Sequence, residues 1–221
     1  MPSARFDAGS PSARPGECAI LVHGYLANTW MLATLGRRLR DRGFTTSTWG
    51  YWNIRCSLLV HAERFVVTLR ELDSDPRIER LHLVTHSMGG IIARAALDRF
   101  RPRKLGRFVM LAPPNRGSFV ATAAANTVGR VLRPVAELST SETSLVNSLP
   151  MPEGVDIGVI AAEHDALVAA DSTHPVGPHC HVTLPTWHTG LLFRPETAQL
   201  TATFLASGRF ASPADATKEA G

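Results

Sequence analysis

Apolar positions along this chain follow two rhythms that take turns. Cys18-Ala-Ile-Leu-Val22 is an unbroken apolar run closed by His23-Gly24, the pattern of a strand buried on both faces. Residues 29–42 place Trp30, Leu32, Leu35 and Leu39 at helical spacing, and Gly43 marks the stop. Phe44 to Trp49 alternates and is rich in threonine, which predicts a strand. Leu58 to Leu72 reads as an amphipathic helix through Leu59, Phe65, Val66 and Leu69. The rhythm then repeats. A strand is predicted at Arg80 to Thr85, a helix at Met88 to Phe100, a strand at Gly106 to Leu111, and strands at Val155 to Ala161 and His179 to Leu184. A last helix is predicted from Pro195 to Ala206.

Strands that alternate with crossover helices predict an α/β fold: a mostly parallel central sheet with helices on both faces. In such sheets ligands bind beyond the carboxyl ends of the strands, so chemistry is sought in the residues that follow each strand. Residues 115–154 break the rhythm, because they exceed an ordinary crossover. They hold an alanine-rich helix candidate from Phe119 to Leu132 and a Ser/Thr-rich stretch from Ser139 to Ser148. This excursion reads either as a lid and pocket segment or as one long crossover with a second helix.

Composition narrows the class. The 221 residues suit one domain, 17–210, between a Pro/Ser/Arg/Gly-rich leader (1–16) and a tail (211–221). Apolar residues at 44% and charged residues at 19% describe a core-forming chain and exclude a disordered one. The net charge of +4 comes from scattered arginines. Its densest run, Arg99 to Lys104, falls where a helix should end, and cations there complement the helix dipole, so no nucleic-acid partner is expected. Three cysteines, Cys18, Cys56 and Cys180, show neither metal spacing nor a disulfide framework. The leader lacks a signal-type apolar core and no apolar run reaches membrane length. The expectation is a soluble chain, cytoplasmic by default, with upstream trimming left open and oligomeric state unread.

Val84-Thr-His-Ser-Met-Gly-Gly90 sits at a strand-to-helix junction. A sharp turn there lifts a serine hydroxyl clear of the sheet, and small residues beside it let strand and helix approach closely. Gly89 and Gly90 meet that need, whereas Thr85 stands where glycine is usual. The plainer alternative makes Ser87 a helix N-cap. Partners for a nucleophile are in order. The loop at His23-Gly24-Tyr25 and the residue after the serine offer the backbone N–H groups of Tyr25 and Met88 as an oxyanion hole. Of nine histidines, His188 lies between the last strand and the last helix; His86 adjoins the serine with its side chain turned elsewhere. The acid follows the preceding strand, as Asp165, with Asp171 and then Glu163 as alternatives. The order Ser87, Asp165, His188 assigns nucleophile, orienting acid and general base. His164, His174, His179 and His181 lack a tight ligand motif, so no metal is assigned.

His23-Gly24, Thr-His-Ser-Met-Gly-Gly90, Ala112-Pro-Pro-Asn-Arg-Gly-Ser118, Gly158-Val-Ile-Ala161, Asp165 and Trp-His188 together resemble the small bacterial lipase/esterase branch of the α/β-hydrolases. Asn115 stands where many of those lipases carry histidine. The resemblance spans residues 18 to 210 and implies cofactor-free cleavage of carboxylic esters through an acyl-enzyme on Ser87. Acyl transfer, or thioester and amide cleavage, would use the same triad, and a binding protein without catalysis would ordinarily have lost one of its members. The expected partner is a small-molecule or lipid ester, met in solution or at a lipid surface. Phe119, Val120 and Ala124, on the candidate helix, are the expected acyl contacts.

Overall fold

The computed structural model describes residues 5–7, 14–25, 29–51, 56–117 and 145–210. Their elements are β1 (Arg5–Asp7), β2 (Glu17–Val22), α1 (Thr29–Arg40), β3 (Thr45–Trp49), α2 (Leu58–Ser74), β4 (Arg80–His86), α3 (Met88–Arg99) and β5 (Leu105–Leu111). After these come α4 (Leu145–Ser148), β6 (Ile157–Ala162), a 3-10 turn at Ala170–Thr173, β7 (Cys180–Leu184), a second 3-10 turn at His188–Leu192, and α5 (Pro195–Ser207). The candidate helix from Phe119 to Leu132 lies outside the described residues, and with it Phe119, Val120 and Ala124.

The strands form one sheet in the order β1-β3-β2-β4-β5-β6-β7. Every pairing is parallel except that of β1 with β3. β1 was not expected: it lies within the stretch read as a leader, where its three residues follow the edge of β3 and cover it. Two residues also separate the expected start of β6 at Val155 from its start at Ile157.

Alternation along the strands divides the core in two. Ile20, Val22, Leu81, Leu83, Phe108 and Met110 face α2 and α3, where Phe65, Leu69 and Ile92 complete a layer. Ala19, Leu21, Val84, Val109 and Leu111 face α1 and α5 through Leu32, Leu35, Leu39 and Phe204. Each fully buried large side chain contributes about 1.5–3 kcal/mol relative to exposure, which holds the helices on both faces. The chain goes from β2 to one side for β3, then returns past β2 for β4. That reversal opens a crevice beyond the carboxyl ends of β2 and β4. The basic run at 99–104 is engaged within the fold. Arg99 donates to the Ala95 carbonyl at 2.8 Å, and Asp73 accepts from the Lys104 backbone N–H at 3.0 Å.

Candidate active site

β4 ends at His86 and α3 begins at Met88, so the whole turn rests on Ser87. Ser87 adopts φ 53° and ψ −128°, backbone that L residues rarely occupy. Its N–H donates to the Leu111 carbonyl at 2.8 Å and its carbonyl accepts from Gly90 N–H at 2.9 Å, which hold the turn from both sides. The side chain makes no capping hydrogen bond, so the N-cap alternative loses its main support. Strand and helix crowd here as the glycine pattern required. A methyl at Gly89 would stand 2.6 Å from the His23 carbonyl oxygen, and one at Gly24 would stand 2.8 Å from Ser87 Cβ. Thr85 is accommodated because Gly90 has no side chain: a Cβ there would sit 3.2 Å from Thr85 Oγ1.

The loops after β6 and β7 are stitched together. Glu163 N–H donates to the Leu184 carbonyl at 2.9 Å and His164 N–H to the Thr186 carbonyl at 3.0 Å. Gly190 allows the following turn to close, since a side chain there would collide with the Thr186 hydroxyl. This stitching brings Asp165 Oδ2 to 2.6 Å from His188 Nδ1, with both residues largely shielded from water. The other carboxylate oxygen accepts from the Leu167 and Val168 N–H groups at 2.8 and 2.9 Å. Burial pushes the Asp165 carboxyl up, but the bond and charge of His188 and those two N–H groups outweigh it and bring it below the ordinary value. Asp165 is therefore an anion with fixed orientation, and the Nδ1 proton of His188 points at it. Asp171 and Glu163 are exposed instead. Asp171 lies in the first 3-10 turn.

His23 organises the loop after β2. Its Nε2 accepts from Tyr51 N–H at 3.2 Å, so Nδ1 carries the proton and donates to the Gly24 carbonyl at 2.8 Å. A trans peptide points its N–H opposite to its C=O, so holding the Gly24 carbonyl directs the Tyr25 N–H away from the His23 ring. Met88 N–H lies in the first turn of α3, where amides have no acceptor within the helix.

Two further residues, His86 and Asn115, have structural roles that the sequence did not assign to them. His86 was expected to turn elsewhere. Its ring instead lies 4.8 Å from that of His188, and its Nε2 lies 3.2 Å from the His188 carbonyl oxygen. Period-two alternation was the available signal: it puts His86 on the same face as Val84, where Leu191 and Leu192 of the His188 turn pack. Asn115 is buried, donates from Nδ2 to the Thr173 carbonyl at 2.8 Å and accepts at Oδ1 from Arg94 at 3.2 Å. It ties the end of β5 to the loop that carries Asp165. His174, His179 and His181 do cluster, but among the described residues no three His, Cys, Asp or Glu side chains are disposed to hold a metal ion.

Comparison with known proteins agrees with this architecture. The mature form of a Bacillus licheniformis lipase superposes with a TM-score of 0.71 at 16% identity, covering 92% of this chain and 98% of the lipase. The chain has the α/β-hydrolase fold. A Paleococcus ferrophilus monoacylglycerol lipase matches at TM-score 0.67 and 14% identity over 93% and 99% of the two chains. A thioesterase domain from the curacin biosynthetic pathway matches at 0.58 and 14% over 94% and 100%. Among curated sequences, a Mycoplasma pneumoniae protein with the provisional name esterase/lipase 3 is 26% identical over 110 residues, 47% of this chain. That alignment spans only 39% of the relative. No family model matches. No helix among the described residues is long and apolar enough to cross a membrane.

Proposed function

We propose that the protein is a serine hydrolase that cleaves carboxylic esters through an acyl-enzyme on Ser87. The observation that carries this reading is the 2.6 Å contact of Asp165 with His188 Nδ1, at the same end of the sheet as the strained turn of Ser87. Asp165 accepts the Nδ1 proton, which leaves His188 Nε2 as a lone-pair base. His188 takes the Ser87 hydroxyl proton as Oγ bonds to the ester carbonyl carbon, and the carbonyl electron pair moves onto oxygen. The N–H groups of Tyr25 and Met88 bind that oxyanion as it forms, at little cost in reorganisation. When it collapses, the C–O bond to the alcohol breaks and imidazolium returns its proton to the departing oxygen. Water then repeats the sequence on the acyl-enzyme and frees the acid.

Hydrolase neighbours such as the lipases support esters as the substrate class. Thioester cleavage is the second reading, favoured by the likeness to the curacin pathway thioesterase domain. Turnover of matched p-nitrophenyl esters and acyl thioesters, each with the wild type and Ser87→Ala, tests both. Ester turnover that vanishes with Ser87 supports the first reading. Thioester turnover that exceeds it by orders of magnitude favours the second, and no turnover of either overturns the proposal.

A further inference from the structure

We propose that His86 is a positioning residue for His188, holding the base from the side opposite to Asp165. The inference rests on the serine-hydrolase reading above. Its starting point is a bond whose direction chemistry fixes. The His188 carbonyl oxygen can only accept, so the His86 Nε2 that lies 3.2 Å from it carries the proton. The two rings face one another at 4.8 Å and 55°. His86 is thus in contact with the base twice, through its backbone and through its ring.

The ring is 97% buried and its Nδ1 has no hydrogen-bond partner among the described residues. A neutral imidazole that donates from Nε2 keeps a bare lone pair at Nδ1, and that lone pair lies 3.2 Å from where a Cβ on Gly24 would be. Leaving such an acceptor buried and unpaired is unfavourable, and a phenyl ring would fill the space without that penalty. What a phenyl ring cannot do is donate to the His188 carbonyl. Burial first, and then the neighbouring His188, depress the His86 pKa to about 3. The ring therefore stays neutral when His188 becomes imidazolium 4.8 Å away, and no second cation opposes the proton transfer.

Between Asp165 on Nδ1 and His86 on the carbonyl, both the ring and the main chain of His188 are fixed. Freeing the main chain lets the base drift, and drift of an ångström or less at a reacting group lowers kcat while leaving substrate affinity largely alone.

The test compares wild type with His86→Phe, His86→Asn and His86→Gln. Phenylalanine fills the site without a donor, and the asparagine amide is too short to reach the carbonyl. Glutamine carries an N–H at about the Nε2 position. The readouts are kcat and KM on p-nitrophenyl butyrate, the rate constant for labelling by a fluorophosphonate, and Tm. Expected are a kcat and a labelling rate roughly 10- to 100-fold lower in the Phe and Asn variants, with KM within about twofold, and a Gln variant restored to within about fivefold of wild type. Should the Phe variant not fold, the Asn–Gln contrast decides alone. Phe and Asn variants within about twofold of wild type, or a Gln variant as impaired as Asn, overturn the inference. A wild type that neither labels nor turns over overturns the serine-hydrolase reading itself, and this inference with it.

Discussion

Two groups of three histidines in this fold have different surroundings. His23, His86 and His188 are buried, and each has a ring nitrogen committed to a backbone or carboxylate partner. His174, His179 and His181 are half-buried and contact one another: the rings of His174 and His181 stack at 3.9 Å and His174 Nδ1 meets His179 Nε2 at 3.0 Å. His179 Nδ1 also donates to the Gly177 carbonyl at 2.8 Å, and His181 Nε2 lies 2.9 Å from Thr173 Oγ1. Imidazoles meet closely in both groups, yet among the described residues only the first contains a carboxylate contact. Density of histidine is therefore a poor guide to chemistry. A general base needs a fixed tautomer, and the carboxylate of Asp165 supplies it at His188.

The sharpest way to break that contrast is to remove the groups proposed to react. Ser87→Ala and His188→Gln should each lower kcat on p-nitrophenyl esters by roughly three or more orders of magnitude with the fold retained. His181→Gln should leave kcat within about twofold. A His181 variant as crippled as the His188 variant would move the chemistry to the outer cluster. Next in size is Asp165→Asn, which presents the wrong partner to Nδ1 and should lower kcat by roughly two to four orders of magnitude. Asp171→Asn, at an exposed position, should change it little. Reversal of that pair would assign the acid to Asp171.

How legible all this was depended on what each residue's role requires. Ser87, Asp165 and His188 could be picked out as candidates from the residues after strand ends and the glycines beside Ser87, with Asp171 and Glu163 still standing beside Asp165. In a parallel sheet the strands' carboxyl ends face the same crevice. The glycines at 89 and 90 were legible because the close approach of strand and helix leaves few residue types, whereas the crowding of Gly24 against Ser87 was not read. β1 was not, since three residues carry no periodicity, and its strand state comes from the edge of β3 that it covers. His86 was misjudged because the reading treated it as the serine's neighbour rather than as the last even position of β4, on the face where the His188 turn packs. Asn115 stood in sequence where many lipases carry histidine. Its bonds to Thr173 and Arg94 join segments far apart in the chain, which no local pattern encodes.

Asn115 sharpens the comparison at an intermediate scale, because the inner group depends on ties of this kind. Asn115→Leu leaves the Thr173 carbonyl buried without its donor, a cost of about 1–3 kcal/mol, and leaves Arg94 Nη1 only the Asn115 main-chain carbonyl at 3.5 Å. Tm should fall accordingly. Since Thr173 lies in the chain segment that follows Asp165, kcat should fall as well, by less than in Asp165→Asn. Unchanged Tm in thermal unfolding would show that the loop is held by its other bonds.

The smallest effect expected concerns the outer cluster and acid. Burial first, and then the neighbouring His174 and His179, hold the His181 pKa down at about 4 in the fold, against 6.5 as the ordinary value. The folded state thus favours the neutral ring, and the unfolded chain binds the proton more readily. Stability from this source is complete above about pH 6.5 and is lost as pH falls toward 4. His82 and His86, each depressed to about 3 with burial as the leading cause, act in the same direction and continue the loss to lower pH. His181→Gln removes one contributor and leaves His82, His86 and also His23, whose pKa burial likewise lowers. Its Tm, measured by thermal unfolding from pH 7.5 to 4, should fall less steeply than that of wild type without becoming flat. Parallel curves would mean that His181 titrates alike in both states and that stacking against His174 does not impede its protonation. A flat variant curve would put the whole acid response in the outer cluster and leave none for the buried inner rings.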